Sequence, residues 1–155
     1  MKKKESILGF TLIELLVVIA ILGLLATVGL ASFLSIQVKG RDSQRKSDLN
    51  QIQKALEMYY NDNGEYPHPA LPAVGGSAWE DVGKGTLYMK EIPQDPKSGA
   101  YNYSYSSIDG TSYVLYARLE NTQDSCFATG LCKDYGLSCG EANCNYAMSS
   151  QNTTP

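Results

Sequence analysis

A chain of 155 residues has room for one domain of ordinary size beside an N-terminal signal. Its net charge of −3 is unevenly placed: residues 1–9 hold three lysines and Glu5, and without them 10 basic and 15 acidic groups remain, a net of −5. An acidic body argues against nucleic acid as the main partner, because phosphate binding needs a basic surface. A single histidine, His68, set between prolines with no cysteine near it in sequence, marks no catalytic site, so an enzyme is not expected.

Lys2, Lys3 and Lys4 open the chain, and from Leu15 to Ile36 run 22 residues without a charge, the polar ones being Thr27, Ser32 and Ser35. As a helix this run reaches roughly 33 Å, enough to cross a bilayer core of about 30 Å. A soluble buried helix is rarely apolar all round for so long. A secretory signal peptide has an apolar region of only about 7–15 residues and no use for an acid at its start. Glu14 is such an acid. A carboxylate near the centre of a membrane helix costs roughly 2.5–3.5 kcal/mol on insertion scales, less towards the edge. No Lys or Arg stands between Lys4 and Lys39 to offset it. Cutting between Gly9 and Phe10 would create an α-ammonium one helical turn away, able to pair with Glu14 in its own chain or in a neighbour. A carboxylate that needs a neighbour's amine adds subunits in register.

Gly9-Phe10-Thr11-Leu12-Ile13-Glu14-Leu15, after a short lysine-rich leader, resembles the processing signature of type IV pilins and type II secretion pseudopilins. The resemblance implies an α+β, pilin-like fold: a long N-terminal helix, membrane-spanning in its first half, with a small antiparallel sheet on its second. It implies a leader at 1–9, cut after Gly9 by a prepilin peptidase that then methylates the Phe10 nitrogen, with Glu14 as the assembly carboxylate. The chain would be that enzyme's substrate and would carry no cofactor. Its other partners would be further copies in a helical homopolymer and an inner-membrane platform with its ATPase. The precursor would sit in the inner membrane with a cytoplasmic N-terminus and the filament in the periplasm or at the cell surface. Charge counting does not settle that orientation, since Lys39, Arg41, Arg45 and Lys46 follow the apolar run as closely as the leader lysines precede it. Three functions stay open: a surface type IV pilus, the pseudopilus of a type II secretion system, and a membrane-tethered binding domain that does not polymerise.

Within the segment 10–36, Gly23, Thr27, Ala31 and Ser35 recur every four residues, a stripe that permits close helix packing. Many family members place a proline where this chain has Ala31. From 37 to 63 the pattern is amphipathic: Leu49, Ile52, Leu56 and Tyr59 alternate with Asp48, Gln51, Lys54 and Glu57. Asn63-Gly64 should end the helix. The cluster from Lys39 to Lys46 reads as a solvated helix surface, or as one that meets acidic patches of neighbouring subunits.

Residues 64–148 should form the globular part. Tyr60 to Pro67 resembles the turn ending the long helix in major pseudopilins, and Ile92-Pro93-Gln94-Asp95-Pro96 their segment leading into the sheet. Ser77-Ala78-Trp79-Glu80 is a capping-box pattern that predicts a short helix. Asp109-Gly110 suggests a two-residue turn pairing Tyr105 with Val114 and Tyr103 with Tyr116, the second strand running from Tyr113 to Leu119. Cys126, Cys132, Cys139 and Cys144 contain no C-x-x-C pair, so no metal is expected; in an exported domain they predict two disulfides, in any of three connectivities. The calcium loop usual in major pseudopilins lacks its acid-rich part here, although Glu120, Asn121 and Asp124 could donate oxygens. Residues 149–155 read as a flexible tail.

Overall fold

The computed structural model describes residues 9–72 and 75–152, with residues 28–32 described in backbone only. Residues 1–8 of the leader and the last three residues of the tail lie outside the described residues. The chain divides into two units, 1–37 and 38–155, and one helix, α1 (Leu12–Asn63), contributes to both. The fold is α+β.

In the first unit the apolar side chains of α1 are exposed, from Leu12 to Leu25 and again from Phe33 to Ile36. Among the described residues no helix is long and apolar enough to cross a membrane. The uncharged run from Leu15 to Ile36 contains residues 28–32, whose side chains lie outside the described residues.

In the second unit α1 buries Leu49, Ile52, Ala55 and Leu56, which follow the three- and four-residue spacing of the sequence. The helix stops where Gly64 takes φ 78° and donates its N–H to Tyr60 O at 2.7 Å, a left-handed C-terminal cap. No basic residue stands in its last turn. Lys84 supplies one from elsewhere, its Nζ reaching Asp62 O at 2.9 Å and Asn63 Oδ1 at 2.6 Å.

Lys84 sits on a hairpin where a helix was predicted. The segment Ser77 to Glu80 leads into β1 (Trp79–Asp81), which pairs antiparallel with β2 (Thr86–Met89). Two things override the capping box. Asp81 folds the chain back, its Oδ1 accepting the N–H of Gly83 at 2.9 Å and of Lys84 at 3.1 Å. Trp79, 1 % exposed, is held in an aromatic triangle with Tyr59 and Tyr88, centroids 5.2 to 5.6 Å apart.

The second sheet has the order β3-β4-β5, all antiparallel, from β3 (Ser104–Ser106), β4 (Val114–Ala117) and β5 (Tyr146–Ser149). Its register differs by one residue from the expected one: Tyr105 faces Leu115 and Ser104 faces Tyr116. The connection is seven residues, not two. It is closed by Ser107 Oγ on Ser112 O at 2.7 Å and by Asp109 Oδ1 on the N–H and hydroxyl of Thr111. A one-residue slip exchanges the faces of a strand. Tyr113, Leu115 and Ala117 therefore face the core, while Tyr116 meets Tyr135 outside it at 5.3 Å.

β5 corrects the reading of a tail beginning at Ser149. Ser149 ends that strand, Ser150 is buried with its N–H on Tyr113 O at 3.1 Å, and Asn152 donates to Thr111 O at 2.7 Å. The cysteines pair in consecutive order, Cys126 with Cys132 and Cys139 with Cys144. Cys126 lies in a single turn, α2 (Ser125–Ala128), capped by Asp124.

Candidate functional site

The residues expected to be processed, Gly9 and Phe10, lie in the first unit. Gly9 and Phe10 are exposed and precede the helix. The Thr11 C=O accepts the N–H of Leu15 at 3.3 Å, which makes Thr11 the N-cap and Glu14 the third helical residue. Thr11 donates its N–H at 2.8 Å and its hydroxyl at 2.6 Å to Glu14 Oε2, and Glu14 N–H points back at Thr11 Oγ1 at 3.4 Å. This is a capping box. The pattern Thr-x-x-Glu is visible in the sequence, but weighing Glu14 only against a bilayer passes over it. The same atoms allow a second use, since both bonds go to Oε2 and none to Oε1 among the described residues.

Gly23, Thr27 and Ser35 are exposed along the same unit, and a Cβ at Gly23 would meet nothing within 4 Å. Thr27 Oγ1 donates to Leu24 O at 2.8 Å, the local bond a helical threonine makes where no polar partner is near. The side chain of Ala31 lies outside the described residues.

The second unit holds a charge cluster that corrects the solvated reading for Arg41, Arg45 and Lys46, while Lys39 is exposed. Arg45 is 0 % exposed. Its guanidinium grips Asp95 bidentately at 2.7 and 2.9 Å and also reaches Asp42 at 2.7 Å and Glu120 at 2.8 Å. Arg41 holds both oxygens of Glu120 at 2.7 and 2.8 Å, and Lys97 adds a third cation at 2.6 Å. Asp42 in turn accepts the backbone N–H groups of Glu120 and Asn121 at 2.9 and 2.8 Å. Three cations thus face three carboxylates, the condition under which charges can be buried. Arg41, with Lys97 and Arg45 behind it, holds the Glu120 carboxyl well below the usual range against the pull of burial. Lys46 pairs with Asp124 at 2.7 Å. Of the oxygen donors considered for calcium, Glu120 and Asp124 are therefore engaged with cations of the chain itself.

The tyrosines follow a related rule. Tyr66 and Tyr113 direct their hydroxyls to Glu57, Tyr103 to Asp48 at 2.7 Å, and Tyr88 to Asp62 at 3.0 Å. Asp48 and Glu57, assigned to the polar face of α1 from spacing alone, are the acceptors that let these rings lie against the helix. Burial and the Glu57 carboxylate push the Tyr66 phenol up to about 12.

Family models match both parts of the chain. The family model of the prokaryotic N-terminal methylation motif matches residues 7–30. The model described as type IV minor pilin ComP, DNA uptake sequence receptor, matches residues 32–136. The type II secretion system core protein G of Vibrio cholerae is 32 % identical over 120 residues, covering 74 % of this chain and 82 % of the relative. That of Pseudomonas aeruginosa is 35 % identical over 115 residues, 70 % of this chain and 80 % of the relative. That of Aeromonas hydrophila is 33 % identical over 110 residues, 64 % and 73 %. No solved structure matches. With a methylation motif at residues 7–30, a pilin family model over residues 32–136, and a relative 32 % identical over 74 % of the chain, the chain belongs to the type IV pilin and type II secretion pseudopilin family.

Proposed function

We propose that a prepilin peptidase cuts this filament subunit between Gly9 and Phe10 and methylates the Phe10 nitrogen, and that the new ammonium then pairs with Glu14 of a neighbouring copy. The observation that supports this most is the placing of the cut. The Gly9–Phe10 bond is exposed and outside the helix, one residue before a cap whose far end is Glu14. In the uncut chain Thr11 engages one oxygen of that carboxylate and leaves Oε1 for an incoming cation. Methylation keeps the amine charged, so the pairing survives the modification. The run from Leu15 to Ile36 would anchor the precursor in the inner membrane with its N-terminus in the cytoplasm, and an inner-membrane platform with its ATPase would draw copies into the filament. In this scheme the chain is a substrate and a building block, with no catalytic part.

Between filament types, the likeness to core protein G over 70–74 % of the chain favours the pseudopilus of a type II secretion system over a surface pilus. The ComP description names a DNA uptake sequence receptor. Here residues 10–155 carry 10 basic and 15 acidic groups, a poor balance for binding phosphate. Mass spectrometry of the mature chain tests the processing step: a first residue of N-methylated Phe10 is expected, and any other N-terminus refutes it. Fibres seen on intact cells at normal expression would move the assignment to a surface pilus.

A further inference from the structure

The connection from β4 to α2, residues 118–124, is tied to α1 by four residues of that helix. Arg41, Asp42, Arg45 and Lys46 stand at i, i+1, i+4 and i+5, which sets them on one face. Arg41 and Arg45 donate to the Glu120 carboxylate, and Lys46 donates to Asp124. Asp42 accepts the backbone N–H groups of Glu120 and Asn121. Lys97 reaches Glu120 from the segment before β3. Beyond the connection Asp124 caps α2, whose Cys126 is bonded to Cys132.

The resemblance to major pseudopilins implies a calcium loop in this region, with Glu120, Asn121 and Asp124 as its candidate donors. Each side-chain oxygen of the three is already an acceptor within the chain. Glu120 Oε1 accepts from Arg41 Nε at 2.7 Å and Arg45 Nη1 at 2.8 Å. Its Oε2 accepts from Arg41 Nη2 at 2.8 Å and Lys97 Nζ at 2.6 Å. Asp124 offers Oδ2 to Lys46 at 2.7 Å and Oδ1 to the N–H of Cys126 at 3.1 Å. Asn121 Oδ1 accepts the N–H of Gln123 at 3.2 Å. A calcium ion takes about six to eight oxygens. Here it would have to displace these donors and stand beside cations that repel it. The residues present do not fit the metal.

We propose that Arg41, Arg45, Lys46 and Lys97 hold this connection in the metal's place, so that the second unit folds and stays folded without calcium. The counterions belong to the chain, so their occupancy does not vary with the divalent cations around the protein.

The test uses the full-length chain extracted in detergent, with both disulfides intact. Its melting temperature should agree within about 1 °C between a calcium chelator and about 5 mM calcium chloride. A calcium ion held with the affinity of extracellular modules, about 10⁻⁴–10⁻³ M, would raise it by roughly 3 °C or more. Arg41→Gln combined with Lys97→Gln removes two of the three cations on Glu120 and keeps Arg45. Amide hydrogen exchange at Glu120 and Asn121 should then quicken about fivefold or more, with a smaller change in β5. Lys97→Arg should leave it as it was. Lys97→Gln alone, at a side chain 42 % exposed, is the milder variant and should quicken the same two amides. A calcium-dependent rise of about 3 °C or more, or unchanged exchange at those amides in both glutamine variants, overturns the proposal. Neither measurement involves a filament, so the filament reading stands or falls separately.

Discussion

Arg45 is the residue on which the second unit turns. Its side chain is fully buried, and three carboxylates from three parts of the chain converge on it. Without Arg45, Asp95 and Asp42 lose their buried cation while Glu120 keeps Arg41 and Lys97, and breaking such a buried pair costs about 3–5 kcal/mol. Arg45→Met should therefore destabilise the detergent-extracted chain by about that amount in denaturant unfolding. Arg45→Lys should recover little, because an ammonium cannot reproduce the bidentate grip on Asp95. Glu120 in the same cluster sets the acid response. Its folded-state value is held below its ordinary value of 4.5, so below that pH the unfolded chain takes up a proton that the folded chain refuses. The stabilisation is complete above the ordinary value and is lost as pH falls towards the folded one. The melting temperature should thus drop on acidification below about pH 4.5, and Glu120→Gln should flatten that limb of the curve. Asp48 acts in the opposite sense, since burial raises its carboxyl against the Tyr103 hydrogen bond, and comparison with Glu120→Gln separates the two effects.

Among the elements, the β3–β4 connection shows why a turn signal can be right in place and wrong in geometry. Asp109-Gly110 does sit at the reversal, and Gly110 takes φ 74° as such a turn requires. The loop is longer because Gly110 also bonds the segment after α1, through its carbonyl to Tyr66 N–H. A Cβ on Gly110 would stand 3.1 Å from Tyr66 O and 2.8 Å from the His68 ring. Gly110→Ala combines a left-handed φ with that crowding and should cost about 1–3 kcal/mol, read as a lower melting temperature. The predicted helix at Ser77 failed for a comparable reason. A capping box is a local preference of about 1 kcal/mol, less than the burial of Trp79 against Tyr59 and Tyr88. The end of α1 at Asn63, by contrast, was legible because Gly64 takes the left-handed φ that lets its N–H bond the Tyr60 carbonyl.

At the scale of the whole chain, Glu14 has one duty in the structure and a second in the proposed filament, and a single substitution can separate them. Within one copy it caps its own helix through Thr11. Between copies it would receive the Phe10 ammonium. Glu14→Gln keeps an acceptor for Thr11 and removes the charge. If the inter-copy pairing is what matters, Glu14→Gln and Glu14→Ala should both be processed normally and both fail to enter filaments. A Glu14→Gln chain that assembles at the unaltered level would reduce Glu14 to a helix cap.

Sequence alone determined whatever depends on neighbours in the chain: the leader signature from Gly9 to Leu15, the span of α1, its apolar stripe from Leu49 to Leu56, and its glycine stop. Periodicity and caps are local physics, so they survive without tertiary context. Only the tertiary structure decided the strand register, the pairing of the four cysteines, the anchoring of Ser150, and the fate of the charges at 41–46. Each of those depends on groups distant in sequence, as when Arg45 meets Asp95 and Glu120 at separations of 50 and 75 residues. No spacing rule marks such a partner, because a buried charge is tolerated only where the fold brings its counterions within hydrogen-bond reach.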